Sequence, residues 1–564
     1  MRRLSLLVGV LTFSLTASAA FAAPRPAEWP SVDKQLRQAR VEPGSALEAL
    51  ILDNQDFKML RAGEANDKIP VPLWLRVYWR KGRPESTYSA ADPTGGYPHV
   101  LKEVYEWMIT HQDLRPHTAD EPKAAGLEAD RDDDALGVIT AASTVGTNVR
   151  TSGAQTSPRS ESDIRINYWN PLKIIAACNN ISASGQQAQL YSSDGGATWG
   201  QSFLPLTGTD AFHSDPAVDW TSDGTAWSTT IGIKGNSLHM RAYKSTNGGQ
   251  TWTFDNTFSG TQKNTDKELM WVDHSATSAF KDYIYACWHN GNPAFANRRT
   301  GPAGSWLATP VQVSGSESTG TAIGCDVKTN SAGDAFVFWP TTGNSRIVVA
   351  KSVNGGSTWP TRTVIATTFD SYDIGIPSMA SRRALIYVSG GAYKTATVNN
   401  VYATWTDQTG VAGCNSPANE PGTNAASACK TRIWFSRSTD GGTTWGAPAM
   451  LNNQASKNDQ FNQWMGVDET TGRLAVIYYD TVNDATRKKT DVWYQTSADN
   501  GATWSAAVKV TTAMTDETVA GADSGNQYGD YNSLSIYASK IFPSWTDRRS
   551  GAKEEIWTAP IIEP

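Results

Sequence analysis

The octet Ser192-Ser193-Asp194-Gly195-Gly196-Ala197-Thr198-Trp199 decides how this chain is read. It returns over Ser245–Trp252 (STNGGQTW), Ser352–Trp359 (SVNGGSTW), Ser438–Trp445 (STDGGTTW) and Ser497–Trp504 (SADNGATW). A worn copy, one residue short, spans Thr300–Trp306. Successive starts lie 53, 55, 52, 86 and 59 residues apart. A fixed period of that size is the mark of a repeat architecture. The octet itself has the chemistry of a tight turn. Asp-Gly and Asn-Gly favour positive φ. The Asp or Asn side chain can accept from the turn's own N–H groups. The closing Trp is an apolar plate that can pin the turn to its sheet. Asp194, Asn247, Asn354, Asp440 and Asp499 are therefore read as structural.

Working outward, short strands with period-two alternation flank each octet. In the second unit, Pro216–Trp220, Thr225–Ile233 and Leu238–Lys244 read as three strands, and the octet turns the chain into a fourth from Trp252. Four-stranded units of about 50 residues are propeller blades. Seven are counted, beginning near Asp163, Asp215, Asp266, Thr319, Ile374, Asp459 and Tyr528, with six as the alternative. The fold class is thus all-β, a seven-bladed β-propeller over 137–564, preceded by a small α+β extension. The seventh blade lacks a fourth strand. An open sheet edge invites aggregation, and Gly137–Arg150 is the segment expected to close the ring.

Composition agrees. The 564 residues include 22 Trp, 47 Gly and 27 Pro, and only 18% are charged. That mix fits many strands and turns rather than a helical bundle or a disordered chain. With net charge −6 and no basic run beyond Arg487-Lys488-Lys489, nucleic acid is not an expected partner. Residues 1–22 read as a signal peptide, with Arg2 and Arg3 before the apolar stretch Leu4–Phe21 and a small-residue pattern ending at Ala22. Export to the periplasm or medium follows, and no later stretch is long and apolar enough to span a membrane. Residues 23–117 read as the small α+β region, with a helix over Pro98–Gln112, and 118–136 as an acidic linker. Of five cysteines, Cys414 and Cys429 bracket a loop and are the first choice for a disulfide. The pairing of Cys178, Cys287 and Cys325 stays open. No cysteine or histidine spacing specifies a metal, and no cofactor motif is present.

The octet resembles the Asp-box, or bacterial neuraminidase repeat, of sialidase-type propellers, a likeness covering about residues 160–564. The resemblance implies an arginine clamp for a substrate carboxylate, a Tyr nucleophile assisted by Glu, and an Asp acid/base. Asp163-Ile164-Arg165-Ile166-Asn167 is similar to the family's first-arginine motif, which makes Arg165 a substrate-binding residue. Asp530-Tyr531-Asn532-Ser533-Leu534 is similar to its tyrosine motif, which makes Tyr531 the nucleophile. The family's acid/base stretch has no acid here.

In a propeller, the loops leading into the inner strands crowd one mouth. The residues at those strand heads are Arg165, His213 and Asp215, Lys267 and Glu268, Asp459 and Gln463, and Tyr528 with Asp530 and Tyr531. Aromatic plates beside amides and carboxylates suit sugar rings, and paired carboxylates suit acid/base work across a glycosidic bond. Tyr531, Asp530, Glu268 and Asp215 are the catalytic candidates. Arg165, His213, Lys267, Asp459, Gln463 and Tyr528 are the substrate-binding ones. The expected partner is a glycan or polysaccharide, and the expected activity a sialidase-like glycoside hydrolase on acidic glycans. A non-catalytic binding propeller at the cell surface and a polysaccharide lyase, with Lys267 or His213 abstracting a proton, are the alternatives.

Overall fold

The computed structural model describes residues 143–208 and 210–563. The signal segment, α+β region and acidic linker expected from the sequence lie outside these residues. The described part is built of β-strands, with one 3-10 turn at Pro417–Asn419.

Seven antiparallel sheets form the blades of a propeller. The inner strands are Arg159–Ile166, Phe212–Trp220, Thr265–Val272, Asp326–Thr329, Val388–Lys394, Gln460–Val467 and Ser533–Tyr537 for blades 1 to 7. In blades 1 to 6 the chain steps outward strand by strand before crossing to the next blade. Blade 7 is completed from the start of the domain. Val149 pairs with Thr558 and Arg150 with Trp557, while Thr144 and Val145 pair with Ile562 and Ile561. The expected closure is observed, and no outer edge of blade 7 is left open there.

Each octet forms the turn between a blade's third and fourth strands. In blade 1, Ser192 Oγ donates to Asp194 Oδ1 (2.7 Å) and accepts from the Gly196 N–H (2.9 Å). Asp194 Oδ1 accepts from the Thr198 N–H (2.9 Å), and Trp199 Nε1 donates to the Gly196 carbonyl (3.1 Å). These bonds, led by the Thr198 hydroxyl, hold the exposed Asp194 at a pKa of about 2. The Ser-to-glycine bond recurs at Ser245, Ser352, Ser438 and Ser497, and the Trp bond at Trp252 and Trp445, whereas Trp359 and Trp504 Nε1 have no partner among the described residues. The octet's second glycine faces the preceding blade. A Cβ at Gly196 would lie 2.5 Å from the Phe542 ring, and one at Gly249 3.1 Å from Ile175 and Tyr191. Its positive φ and this close approach both require glycine. Trp252 is buried among Ile175, Leu204 and Val218 at the seam between blades 1 and 2. The repeat is therefore a spacer between blades as well as a turn.

Inner strands of neighbouring blades share no backbone ladder, so side chains bridge them. Asp163 Oδ2 accepts from the Val218 N–H (2.9 Å), Asp219 Oδ2 from Val272 (2.8 Å) and Asp326 Oδ2 from Gly390 (2.8 Å). Ser533 Oγ closes the ring by donating to Asp163 Oδ1 (2.6 Å). The Asp at the end of second strands fixes loops. Asp480 accepts from Asn458, Gln460 and Val482, and Asp547 pairs with Arg549 at 2.5 Å.

One boundary differs from the sequence reading. Ile374 does not open blade 5. Asp373–Ile376 and Met379–Leu385 form a separate two-stranded hairpin, and the blade begins at Val388. The hairpin has strand-like alternation but pairs with no blade; Arg383 links its two strands at Asp373 (2.8 Å) and reaches Glu420 of the blade 5 insertion (2.5 Å). Two disulfides are present. Cys414–Cys429 closes the blade 5 insertion as expected, and Cys287–Cys325 links the second strand of blade 3 to the residue preceding the inner strand of blade 4. Cys178 is free and buried.

Candidate functional site

A register slip at one position builds the site. The inner-to-second strand pairing jumps between Ser160 and Asp163, Ser214 and Ala217, Asp266 and Leu269, and Phe461 and Trp464. Within each jump one residue has positive φ: Glu161, Asp215, Lys267 and Asn462, between 46° and 54°. Such bulges re-aim a side chain, and non-glycine residues are held in this conformation at a cost. Four blades thus present an extra side chain at the head of the inner strand.

These side chains converge. Asn179 Nδ2 donates to Glu161 Oε2 (2.7 Å), and Asn179 Oδ1 accepts from the Asp215 N–H (2.9 Å). Glu161 Oε1 accepts from the Asp530 N–H (3.1 Å). Burial, then the charges of Asp530 and Asp215, push the Glu161 carboxyl well above its ordinary value. Glu268 is fully buried, neither of its carboxyl oxygens has a hydrogen-bond partner among the described residues, and burial followed by the charge of Asp215 raises its pKa strongly. Asp266 stands on the solvent-facing rim of the same cluster, raised to about 7 by desolvation and then by Asp215.

Two cations answer these five acids. Lys267 Nζ lies 3.0 Å from the centre of the Tyr531 ring and 4.9 Å from that of Tyr387, with no hydrogen-bond partner among the described residues. Arg382, on the hairpin before blade 5, donates through Nε to Asp530 Oδ1 (2.6 Å) and lies 3.5 Å from Glu161 Oε1. Its N–H also donates to Gln527 Oε1 (2.8 Å). Tyr372 and Tyr387 are linked through their hydroxyls at 2.8 Å beside it. His289 also feels Asp215 and Lys267, and burial lowers its pKa to about 4. Tyr531 is buried. Its hydroxyl reaches only the Pro216 carbonyl (3.5 Å), and burial with the charges of Asp215, Glu161 and Glu268 holds its pKa well above 10.

Of the sequence-derived candidates, Tyr531, Asp530, Glu268, Asp215 and Lys267 are brought together here. The others are not. His213 contacts the Tyr243 hydroxyl (3.3 Å) beside Asp210 and Arg241, and burial lowers its pKa to about 4. Asp459 is held by Arg487 through two bonds (2.5 and 2.8 Å) and by the Thr431 N–H. Tyr528 packs in the core on Phe461 and Tyr479. Gln463 spends its amide on Tyr387, Thr404 and Thr406. Arg165 lies near the C-terminal end of its inner strand, away from the bulge at Glu161. Buried polar groups at strand heads serve loops and neighbouring blades more often than ligands, and sequence position alone does not separate the two. Glu161, Arg382, Tyr372, Tyr387 and His289 were not singled out. Glu161 carried a signal in its place two residues before Asp163, matching Asp215 before Ala217 and Lys267 before Leu269. Arg382 carried none, because it comes from the inserted hairpin.

No family model matches this sequence, and no curated protein matches it. Among solved structures the chain is similar to a protein of unknown function from Dyadobacter fermentans (11% identity, 75% of this chain and 99% of that one, TM-score 0.40). It is also similar to an α-L-arabinofuranosidase from Fusarium graminearum (12% identity, 62% and 92%, TM-score 0.38) and a sialidase from Streptococcus pneumoniae (10% identity, 61% and 69%, TM-score 0.40).

Proposed function

We propose that this chain is an exported glycoside hydrolase whose reaction takes place in the acid-rich mouth of the propeller. The observation that carries this reading is the convergence of Glu161, Asp215, Asp266, Glu268 and Asp530 from blades 1, 2, 3 and 7, with Glu161 and Glu268 pushed up beside the negative charge of Asp215. Glycosidic cleavage needs a carboxyl that keeps its proton near neutral pH and a carboxylate that does not, and environments that drive neighbouring acids apart supply the pair. Glu268 is the proposed acid and Asp215 the carboxylate partner. A binding module needs no such pair. Two disulfides fit an oxidising compartment.

The specificity is proposed to be for a neutral glycan. Five acids stand against Lys267 and Arg382, and Arg382 is already engaged by Asp530 and Glu161. An acidic sugar would find no free arginine clamp here, since Arg382 is engaged by Asp530 and Glu161 and Arg165 lies away from the bulge. A second reading, a polysaccharide lyase, is favoured by one observation: Lys267 Nζ has no hydrogen-bond partner among the described residues and lies against the Tyr531 ring, a pair that would abstract and return a proton with the lysine as neutral amine.

A panel of neutral and acidic chromogenic glycosides and polysaccharides, read for both reducing ends and the absorbance of unsaturated products, separates the readings. Reducing ends from neutral substrates, lost by about 10²–10⁴-fold in Glu268→Gln and Asp215→Asn but retained in Tyr531→Phe, are expected. Unsaturated products that vanish in Lys267→Met would replace hydrolysis by elimination. Loss of turnover in Tyr531→Phe alone would restore the tyrosine nucleophile.

A further inference from the structure

We propose that Glu420, in the insertion of blade 5, is a positioning residue for the acid mouth: it anchors the hairpin over 373–385 so that Arg382 stays on Asp530 and Glu161. The proposal deepens the hydrolase reading and rests on it. The hairpin is a two-stranded sheet of its own. Two strands without a third neighbour are marginal in water, so the hairpin depends on what grips its two faces. Successive residues of a strand point to opposite faces. Arg382 and Arg383 do so here, the first towards the mouth and the second towards the insertion.

The insertion grips the hairpin at its bulge. The pairing slips between Ile374 and Ile376, which leaves Gly375 outside the ladder. Both backbone groups of Gly375 go to the insertion. Its N–H donates to Glu420 Oε2 (2.7 Å), and its carbonyl accepts from the Gly422 N–H (2.8 Å). A Cβ at Gly375 would lie 3.2 Å from Gly422 Cα, a close approach of two backbones that glycine permits. The same Glu420 oxygen accepts from Arg383 Nη2 (2.5 Å). Bonds to an ionised carboxylate are stronger than those between neutral groups. Glu420 is fixed to blade 5 independently of the disulfide. It closes the Pro417–Asn419 turn, and the Ser416 carbonyl at the start of that turn accepts from Nε2 of Gln408 (2.8 Å), the last residue of the blade's second strand.

On the other face, Arg382 bonds the acids directly, whereas Lys267 Nζ makes no hydrogen bond among the described residues. Arg382 Nε donates to Asp530 Oδ1 (2.6 Å), Nη1 donates to the Gly525 carbonyl (2.9 Å), and Nη2 lies 3.5 Å from Glu161 Oε1. The Arg382 N–H donates to Gln527 Oε1 (2.8 Å). The hairpin is thus fastened to the segment leading into blade 7 and to the head of blade 1. Glu420 touches none of the five acids and acts on them only through Gly375, Arg383 and the strand that carries Arg382. With Arg382 withdrawn, Asp530 and Glu161 would face Asp215 and Asp266 with Lys267 as the remaining cation, beside Tyr372, Tyr387 and Tyr531. Carboxyls that lose a nearby cation hold their protons to higher pH.

The test changes Glu420 in the full chain and reads the mouth. Glu420→Ala should lose hydrogen-exchange protection over 373–385 and over 525–531, with the blades unchanged. Glu420→Gln, which keeps an acceptor for the Gly375 N–H, should retain part of that protection. Turnover of the neutral substrate should fall about tenfold or more in Glu420→Ala, in kcat rather than KM. The acid limb of its pH profile should move up by about one unit, a change that loosening of the fold alone would not produce. Arg383→Met cuts the same tie from the hairpin side and should repeat the pattern. It decides the matter if Glu420→Ala does not fold. Protection lost only within the insertion, or a hairpin that loosens with 525–531 and the pH profile unchanged, would overturn the proposal. Exchange needs no substrate. If the wild type cleaves no glycan, the hydrolase reading fails, and protection at 525–531 in Glu420→Ala still decides this one.

Discussion

Glu268 is fully buried with two carboxyl oxygens that no described residue satisfies. Its pKa in the fold is well above 4.5, with burial the first cause. Below about pH 4 both folded and unfolded chains hold this proton, and it does not affect stability. As pH rises the unfolded chain ionises first, so stability falls until the folded-state value is passed. Glu268→Gln should therefore raise stability at pH 7 by about 1–3 kcal/mol and leave it nearly unchanged at pH 4. Denaturant unfolding at the two pH values checks this, and equal loss at both would contradict it. His274 acts in the same direction for the opposite reason. Burial alone would lower its pKa, but Asp219 and Glu469 hold it well above 6.5. The stability it contributes is complete below about pH 6.5 and is lost as pH rises through the raised value.

At the scale of elements, the octets and the closing strand carry the most weight. Five Ser-to-Trp turns were legible because each contact within them is local, between residues four or fewer apart. The closing strand was legible only by elimination, since blade 7 lacked an outer strand. Thr144–Val145 and Val149–Arg150 fill that edge across more than 400 residues of chain. A chain begun at Gly153 should lose cooperative unfolding near the wild-type midpoint and should aggregate through the exposed edge. Calorimetry and size-exclusion chromatography read both, and an unchanged midpoint would reject the role. The hairpin over Asp373–Leu385 was not legible. Its alternation is that of any strand pair, and its place is shown by the long reach of Arg382 to Asp530 and of Arg383 to Glu420.

For the molecule as a whole, one disulfide joins two blades and the other stays inside an insertion. Cys287–Cys325 crosses from blade 3 to blade 4, its cysteines 38 positions apart in sequence. Cys414–Cys429 closes a 15-residue separation within blade 5. Cys287→Ser should lower global stability by about 3–4 kcal/mol, whereas Cys414→Ser, at a loop that can open locally, should cost about 3 kcal/mol or less. Hydrogen exchange separates them, with protection lost across blades 3 and 4 in the first variant and confined to the insertion in the second. A local effect in both would refute the bridging role.

What the amino-acid order alone determined is the repeat: where the chain turns, how many blades it makes, and that two cysteines around a loop pair. These depend on neighbours in sequence and on the period between them. Which polar residues face one another was decided only in three dimensions. His213, Asp459, Gln463 and Tyr528 look like Glu268 and Asp215 in a strand-head list, yet the first four are engaged by nearby loops and blades. Arg165 and Glu161 lie four residues apart on one strand and still belong to opposite ends of the channel. A strand rises about 3.3 Å per residue, so four positions are enough to carry a side chain from one electrostatic environment to the other.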